Sequence, residues 1–364
     1  MRFLDVFSGI GGFRMGLENS GHTCIGHIER DKYALKSYKA IYDIKENEYE
    51  GKDITEIEDF TELKGKFELL TGGFPCQSFS IAGHRKGFDD IRGTMFFYLA
   101  KILEQAKPQF LLFENVKGLL SHDRGNTFGV ILSTLDALGY NTQWQLLNSK
   151  DFGVPQNRER VYITGYLREG SGREIFPLKR ASRKDYGNEY TTTVHTKYRG
   201  NGGETYIKSE QTLLKLNKKP QAQTVYSTDG LACTLSANGG GQGGKTGLYA
   251  IPILTPDRVK KRQNGRRYKT DGEPMFTLTA QDRHGVIIGN KGRYFRIRRL
   301  TPKECWRLQG FPDWAFEKAK EAGTSDTQLY KQAGNAVTVN VIQAIGQELK
   351  ILEDEIKEGV WIVY

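Results

Sequence analysis

A chain of 364 residues with a formal net charge of +10 is long enough to bury a sizeable core, as two domains or as one large domain with an excursion. Its four cysteines lie far apart, without a CxxC pair or a Cys/His cluster, which argues against a disulfide framework and a metal site and favours a reducing, cytoplasmic compartment. No apolar run approaches the length of a membrane span, and the first residues lack the basic and apolar regions of a secretion signal, so no membrane contact is predicted.

The first 168 residues alternate short apolar runs with stretches of helical spacing. Strands are predicted at residues 2–7, 23–29, 67–73, 109–116 and 160–167, and helices at 12–20, 31–43, 94–107 and 126–138. This alternation predicts an α/β domain with a doubly wound, mostly parallel sheet. Ligands of such domains bind at the carboxyl ends of the strands.

From residue 169 the pattern changes to short β-prone runs interrupted by glycine, until helical spacing resumes near residue 303. We predict a small domain of strands and loops here. The segment 169–300 also carries 25 Lys and Arg against 11 Asp and Glu, a net +14, whereas the rest of the chain is at −4. This local charge suits a polyanion, most simply nucleic acid, although the charge alone leaves a solvated basic surface as an alternative.

The stretch 328–352, QLYKQAGNAVTVNVIQAIGQELKIL, predicts a loop and then an amphipathic helix that returns to the first domain. The small domain is therefore expected to be an insertion. Within it, residues 239–246, GGGQGGKT, match the phosphate-binding pattern GxxxxGKT. That pattern requires a helix after it, and the following GLYAIPILTPD predicts a strand and a turn, so we interpret the match as an accidental glycine loop.

The turn between the first strand and the first helix, SGIGG, predicts a ligand site. The backbone N–H groups of Gly9, Gly11 and Gly12 could approach a ligand closely at the helix N-terminus. Arg14 stands where the pattern GxGxxG has its last glycine, which argues against a nicotinamide or flavin cofactor and leaves a different adenosyl cofactor.

The second predicted strand ends at Glu29, and Asp53 lies where a third strand would end. Glu29 could accept both hydroxyls of a ribose, and Asp53 could accept the amino group of an adenine. Phe7 is available to stack on the ring. Together with the glycine turn, these residues predict an adenosine pocket, and the alternative is a tight turn with two surface acids.

The stretch GGFPCQSFS presents a cysteine in an unusual setting. Pro75 rigidifies the chain before Cys76, and Gly72 and Gly73 allow the backbone to pass close to a substrate. Cys76 is then expected at the carboxyl edge of the sheet, beside the adenosine pocket, where an exposed nucleophile is useful. An inert cysteine would more often lie in an apolar periodic run, as Cys24 does.

Two further polar groups could complete a reaction site. Glu114 ends an apolar strand, where burial favours the protonated form of a carboxyl group, and the alternative is a solvated strand end. Gln156, Arg158 and Arg160 alternate in PQNRERVYI and would face the same way in an extended segment. They could present amide and guanidinium groups to a polar substrate or a phosphate, or form an exposed edge strand with paired charges.

In order along the chain, DVFSGIGGF, IERD, GKDIT, GGFPCQSFS, ENV, QNRER, RRLTPKECWRLQGFP and QAGNAVTVNV resemble the motifs of DNA (cytosine-5) methyltransferases of the bacterial or phage type. They cover the chain apart from the variable segment. The resemblance implies the class I S-adenosylmethionine-dependent methyltransferase fold, with a catalytic and cofactor-binding domain at 1–168 and 320–364. Residues 169–319 would form an inserted β- and loop-rich target-recognition domain with its hinge.

The resemblance implies methyl transfer from S-adenosylmethionine to C5 of a flipped-out cytosine in double-stranded DNA, leaving S-adenosylhomocysteine. Cys76 would attack C6, Glu114 would bind N3 and the exocyclic amine, and Arg160 would bind the O2 side with help from Arg158. Residues 80–94 resemble the loop that closes over the DNA. The implied cofactor contacts are Phe7, Gly9, Ile10, Gly11, Gly12, Glu29, Asp53, Ile54, Pro75, Asn335, Ala336 and Val337. The implied substrate and DNA contacts are Gln77, Ser80, Asn115, Val116, Gln156, Thr234, Leu235, Thr277 and Leu278.

The expected partner is double-stranded DNA, bound by a monomer. A tRNA cytosine-5 methyltransferase is the nearest alternative, because one branch of the same family has nearly the same motifs, but the long basic segment favours DNA. A silent nucleic-acid-binding protein and a P-loop ATPase are the alternatives from other classes. Whether a cognate restriction endonuclease acts separately is left open.

Overall fold

The computed structural model describes residues 1–75, 94–168, 173, 175–178, 214–215, 224–225, 249–256, 266, 268–269, 273–280, 283–290 and 294–358. Its centre is a seven-stranded sheet, built from β1 Arg2–Val6, β2 Thr23–Ile28, β3 Tyr49–Gly51, β4 Leu69–Gly73, β5 Phe110–Val116, β6 Tyr140–Asn148 and β7 Glu159–Leu167. The helices of this part are α1 Gly12–Glu18, α2 Lys32–Ile41, α3 Met95–Ala106 and α4 Asn126–Ala137.

The strands are ordered β3-β2-β1-β4-β5-β7-β6. The first five run parallel, and β7 lies antiparallel between β5 and β6. This arrangement confirms the predicted doubly wound, mostly parallel sheet. Since β1 lies between β2 and β4, the carboxyl ends of these strands meet at one edge of the sheet.

Both faces of the sheet are buried, and β5 shows how its sequence achieves this. Leu111 and Phe113 join the core cluster on the side of α3 and α4, whereas Phe110 and Leu112 join the cluster that contains α1 and the last helix. Alternate residues of a strand point to opposite faces. The four consecutive apolar residues 110–113 therefore bury β5 on both sides, which is typical of the centre of an α/β sheet.

The rest of the described chain contains short strands and four helices. The strands are the antiparallel pair β8 Leu214–Lys215 and β9 Thr224–Val225, and the antiparallel sheet β10 Tyr249–Leu254, β11 His284–Asn290 and β12 Tyr294–Arg299. The helices are α5 Pro302–Leu308, α6 Asp313–Glu321, α7 Asp326–Asn335 and α8 Val339–Lys357. No helix of the described ranges is both long and apolar enough to cross a membrane.

The helices after residue 300 pack back onto the first part of the chain. Helix α6 contacts α2, and α8 contacts α1. The predicted loop at the start of 328–352 is wrong, because α7 continues to Asn335. Leu329 and Ala333 of α7 are buried in one cluster with Trp306, whose indole N–H donates to the Leu329 carbonyl at 3.0 Å, and this packing stabilises the helix. The domain boundary at residue 319 stays a prediction.

A buried carboxyl group lies inside the sheet at Asp5 of β1. Its Oδ1 accepts a hydrogen bond from the Thr71 hydroxyl at 3.4 Å, and Oδ2 has no hydrogen-bond partner within the described residues. Burial raises the pKa of Asp5 from 3.8 to about 8, against the opposing effect of the Arg14 charge. The folded protein therefore keeps a proton on Asp5 that the unfolded chain releases.

Asp5→Asn is expected to become more stabilising relative to the wild type as the pH rises from about 4 to about 8. In that window the unfolded chain loses the Asp5 proton and the folded chain retains it, so wild-type stability falls by at most about 1.4 kcal/mol per pH unit from this group. Urea unfolding of both proteins at pH 5 and pH 8 measures the effect. An equal difference in the free energy of unfolding at the two pH values would contradict it.

Candidate active site

The turn after β1 has a conformation that only its sequence permits. Phe7 has a φ of 56°, and Gly11 has a φ of 80°. The Tyr42 hydroxyl donates to the Gly11 carbonyl at 2.6 Å, and a Cβ on Gly11 would lie 2.3 Å from the Tyr42 ring. Both the left-handed backbone and the close ring exclude a side chain at Gly11. The turn is thereby held open at the start of α1.

Glu29 fixes the end of β2 to this turn. One carboxylate oxygen accepts the Gly9 N–H at 2.8 Å, and the other accepts the Asp31 N–H at 2.6 Å. Burial raises the pKa of Glu29, although these two backbone hydrogen bonds oppose the shift. The acid at the end of the second strand therefore lies against the glycine turn, and the Gly9 N–H, which was predicted to face a ligand, donates to Glu29 instead.

Asp53 lies beyond the end of β3, beside β2. Its Oδ1 accepts hydrogen bonds from the Thr55 N–H at 3.0 Å and the Thr55 hydroxyl at 2.8 Å, and its Oδ2 lies 3.6 Å from Nη1 of Arg30. The backbone hydrogen bond from Thr55 contributes most to lowering the pKa of Asp53. Asp53 is thus a fixed carboxylate, and the neighbouring Ile54 is buried.

The break between α7 and α8 joins the same edge of the sheet. A Cβ on Gly12 would lie 2.6 Å from Cγ2 of Val337, and a Cβ on Gly73 would lie 3.7 Å from its Cγ1. Ala336 and Val337 are buried and Asn335 is exposed. The residues predicted to contact the cofactor therefore follow the carboxyl ends of β1, β2, β3 and β4 or lie at the end of α7 and in the break after it. Ile10 is buried beneath them in the helical core, and Pro75 is exposed.

Glu114 lies at the end of β5, next to the end of β4. Its side chain is 10% exposed, and Oε1 lies 2.9 Å from Nε of Arg160 on β7. Glu114 is paired with Gly73 in the parallel register, and a Cβ on Gly73 would be 3.3 Å from Glu114 Oε2. The carboxylate thus faces the strand that leads to Cys76 and forms an ion pair with Arg160, although Oε1 accepts no hydrogen bond within the described residues.

Asn115 fixes the chain just before Cys76. Its amide Nδ2 donates to the Phe74 carbonyl at 2.9 Å, and its Oδ1 accepts the Val116 N–H at 2.8 Å. The Phe74 ring packs against Phe96 and Phe113. Val116 itself is 40% exposed. The backbone that leads to Cys76 is therefore held by both a hydrogen bond and aromatic packing.

Arg158 does not have the surroundings that were predicted. Its guanidinium is buried and donates to three backbone carbonyls, those of Leu278 at 2.9 Å, Gly334 at 3.3 Å and Ala336 at 2.8 Å. Burial lowers the pKa of Arg158 to about 10, so the group stays charged at neutral pH. The predicted direct contact of Arg158 with the substrate does not fit this placement, because its terminal nitrogens are already bonded within the protein.

Gln156 and Leu278 depart from the prediction in the same way. The Gln156 amide is fully buried, donates to the Leu308 carbonyl at 2.7 Å and accepts the Leu278 N–H at 3.0 Å. Leu278 is 2% exposed, and the neighbouring Thr277 hydroxyl donates to the Asn157 carbonyl at 2.6 Å. A direct contact of Gln156 or Leu278 with DNA does not fit this burial, and Thr277 remains half-buried.

The sequence alone did not indicate several residues of this buried network. Gln309 donates to the Ala333 carbonyl at 2.6 Å and accepts from the Thr338 hydroxyl at 3.0 Å, and Thr338 in turn contacts the Ser149 hydroxyl at 2.8 Å. These residues carry no recognisable spacing.

Five predicted contacts, as well as the loop 80–93 and the glycine loop 239–246, lie outside the described residues. The five are Cys76, Gln77, Ser80, Thr234 and Leu235.

Comparison with known proteins gives one consistent result. A family model described as C-5 cytosine-specific DNA methylase matches residues 1–351. An orphan methyltransferase of Bacillus phage SPR is 39% identical, over 96% of this chain and 97% of its own length. A type II methyltransferase of Haemophilus parahaemolyticus is 34% identical, over 96% of this chain and 94% of its own length.

Solved structures resemble the fold over nearly the whole chain. A putative DNA modification methyltransferase from a prophage in E. coli has a TM-score of 0.59 at 19% identity, covering 98% of this chain and all of that one. An Entamoeba histolytica methyltransferase has a TM-score of 0.54 at 17% identity, covering 98% of each chain. At these identities the likeness concerns the fold, which agrees with the topology of the sheet.

Proposed function

Since the chain belongs to the family of C-5 cytosine-specific DNA methylases, it is a DNA cytosine methyltransferase, and we propose the following specific reaction. The protein transfers a methyl group from S-adenosylmethionine to C5 of a flipped-out cytosine in a specific sequence of double-stranded DNA. The reaction proceeds through a covalent bond between Cys76 and C6. The observation that carries this proposal is the Glu114–Arg160 pair, 2.9 Å apart, beside the strand that leads to Cys76.

The residues around the glycine turn fit an adenosyl cofactor. A Cβ on Gly9 would meet nothing within 4 Å, so the backbone of the turn is open to a ligand on that side. Glu29 and Asp53 are fixed acceptors at the ends of adjacent strands, suited to ribose hydroxyls and to an adenine amino group. Asn335 is exposed at the end of α7, within reach of the same edge. S-adenosylmethionine, when bound, supplies the methyl group.

Cys76 activates C5 of cytosine for methyl transfer. C5 of cytosine is a poor nucleophile, and addition of a thiolate to C6 gives C5 the character of an enamine carbon that can accept a methyl group. Water then takes the C5 proton, the proton delivered to N3 returns to Glu114, and elimination of the thiolate restores the ring. A thiolate is required for the attack, and positive charge near the thiol favours it. Among the proposed catalytic residues, Arg160 is proposed to supply this charge.

Glu114 and Arg160 bind different polar groups of the base. Glu114 binds N3 and the exocyclic amine and delivers a proton as negative charge develops on the ring. Arg160 binds the O2 side and orients the Glu114 carboxylate through their ion pair. Arg158 is a positioning residue in this account, because its guanidinium holds backbone carbonyls.

The base reaches this pocket only when it leaves the duplex. Extrusion of a stacked base costs on the order of a few kcal/mol, offset by contacts in the pocket and to the surrounding DNA. The net charge of +14 in residues 169–300 supports contacts with the phosphates, and this segment would recognise the target sequence. The protein acts as a monomer in the cytoplasm, and a cognate restriction endonuclease, if there is one, acts separately.

Bisulfite sequencing of DNA from bacteria that express the protein tests the function. We expect cytosines within one fixed sequence context to resist conversion, and the same positions to convert fully in cells that express Cys76→Ser. Purified protein should transfer methyl groups to duplex DNA containing that sequence and not to tRNA. Transfer to tRNA without protection of any DNA context would favour the alternative substrate and contradict the proposal.

A further inference from the structure

One buried side chain joins two separate parts of the chain that the proposed function assigns to different ligands. Arg158 donates from Nη1 to the Leu278 carbonyl at 2.9 Å and from Nη2 to the Ala336 carbonyl at 2.8 Å. Leu278 belongs to the peptide 275–280, between β10 and β11 of the basic segment. Ala336 belongs to residues 334–337, which comprise the end of α7 and the start of the break before α8 and are named the cofactor loop here. The planar guanidinium spans the gap between these two backbones.

The peptide 275–280 is also held by the two residues that precede Arg158 in the chain. Gln156 accepts the Leu278 N–H at 3.0 Å, and the Asn157 N–H donates to the Met275 carbonyl at 2.9 Å. Gly334 lies directly against the peptide, since a Cβ there would be 2.3 Å from the carbonyl carbon of Thr279. The end of α7 and the peptide are therefore in backbone contact, and neither can shift without displacing the other.

Arg158 is held in this place by carbonyls and not by a carboxylate. Its hydrogen-bond acceptors within the described residues are all backbone oxygens, its Nε has no partner there, and burial lowers its pKa. A buried charge of this kind is costly unless its hydrogen bonds are satisfied. It is satisfied only while the peptide and the cofactor loop keep their relative positions, so the side chain favours that arrangement over others.

We propose that Arg158 couples the two ligands of the enzyme. It locks the recognition segment, through the peptide 275–280, to the cofactor loop 334–337, so that binding of cofactor or of target DNA raises the affinity for the other. This inference rests on the proposed function. The contacts of Arg158 with the peptide and the cofactor loop are called the clamp here. Such coupling is reciprocal, because a ligand that stabilises the arrangement in which the clamp is formed raises the affinity for any other ligand that binds this arrangement.

The test compares wild type with Arg158→Lys, which keeps the charge and lacks the planar fork that reaches both backbones. Calorimetry measures the Kd of S-adenosylhomocysteine without DNA and with a duplex that carries the methylated sequence. The coupling ratio is the Kd of S-adenosylhomocysteine without DNA divided by its Kd with the duplex. We expect a ratio of about 5 to 150 for wild type and a ratio within about twofold of one for Arg158→Lys. A defect confined to stability would lower the folded fraction and leave this ratio unchanged.

Arg307→Lys is the matched control. Arg307 is also buried, but its guanidinium is held by Asp313, with Nε 2.6 Å from Oδ1. We expect this variant to keep the wild-type ratio even if it unfolds at a lower temperature. Gly334→Ala is a second probe of the clamp, since the added Cβ pushes the peptide away while Arg158 remains intact.

Amide hydrogen exchange gives a readout that needs no DNA. S-adenosylhomocysteine should slow exchange in residues 275–280 of the wild type, and this effect should be lost in Gly334→Ala and in Arg158→Lys. The inference is overturned if either variant keeps both the wild-type ratio and the slowed exchange, or if an active wild type has a ratio of one. An inactive wild type would instead overturn the proposed function.

Discussion

Replacement of Cys76 with serine is expected to lower methyl transfer roughly a thousandfold or more, because the attack on C6 requires a thiolate and a serine hydroxyl stays protonated at neutral pH. Binding of S-adenosylmethionine and DNA should change little. The hydrogen bond from Asn115 to the Phe74 carbonyl, 2.9 Å long, fixes the chain before Cys76 in wild type and variant alike. Tritium transfer from labelled S-adenosylmethionine to duplex DNA, under saturating conditions, measures the loss.

Cys24→Ser provides the matched thiol control. Burial raises the pKa of Cys24 to about 12, so this thiol is unreactive, and its Sγ donates to the Gly26 carbonyl at 3.3 Å, an acceptor that serine can also use. We expect this variant to keep the wild-type rate. Full activity in Cys76→Ser, or an equal loss in both variants, would contradict the assignment of the nucleophile.

Replacement of Glu114 with glutamine is expected to lower kcat by about 100- to 10,000-fold, the range over which general acid catalysis contributes. The amide keeps the shape of the carboxyl group, cannot transfer a proton to N3 and leaves Arg160 without its charged partner at 2.9 Å. Since most contacts with DNA lie elsewhere in this account, the KM for DNA should change much less. Steady-state kinetics on the target duplex separate the two constants.

Glu159→Gln is the neighbouring control. Glu159 lies next to Arg160 in the chain, but its carboxylate pairs with Lys117 at 2.9 Å on an exposed surface. Exposed ion pairs contribute little to stability, so this variant should keep the wild-type kcat. If Glu114→Gln retained a kcat within about threefold of wild type, Glu114 could not be the proton donor that we propose.

The sheet could be predicted because most of its strands are buried on both faces. The run FLLFENV of β5 has apolar residues on alternating sides, and both sets enter a core. Strand β6 was missed because it lies at the edge of the sheet, where Gln143 and Gln145 interrupt the apolar pattern. Their side chains accept hydrogen bonds from the backbone N–H groups of Ile175 and Leu178, which the sequence does not reveal.

Local spacing in the sequence also predicted part of the site. It failed for side chains whose hydrogen-bond partners are backbone groups far away in the chain. Glu29 and the glycine turn are 20 residues apart, within one strand–helix–strand unit, and their contact follows from the topology. The acceptors of Arg158 lie 120 to 178 residues away in the chain. Alternation of Gln156, Arg158 and Arg160 predicts on which side these groups lie, but not whether that side is filled by carbonyls or open to a ligand.

Covalent trapping on a fluorinated base reports whether Cys76 forms a bond to C6. A duplex with 5-fluorocytosine at the methylated position is incubated with the protein and S-adenosylmethionine, and denaturing electrophoresis then separates free protein from protein bound to DNA. Fluorine at C5 cannot leave as a proton does, so the Cys76–C6 bond should persist and give a slowly migrating complex with wild type, and none with Cys76→Ser. No complex from an enzyme that methylates ordinary cytosine, or a complex that survives in Cys76→Ser, would contradict the account.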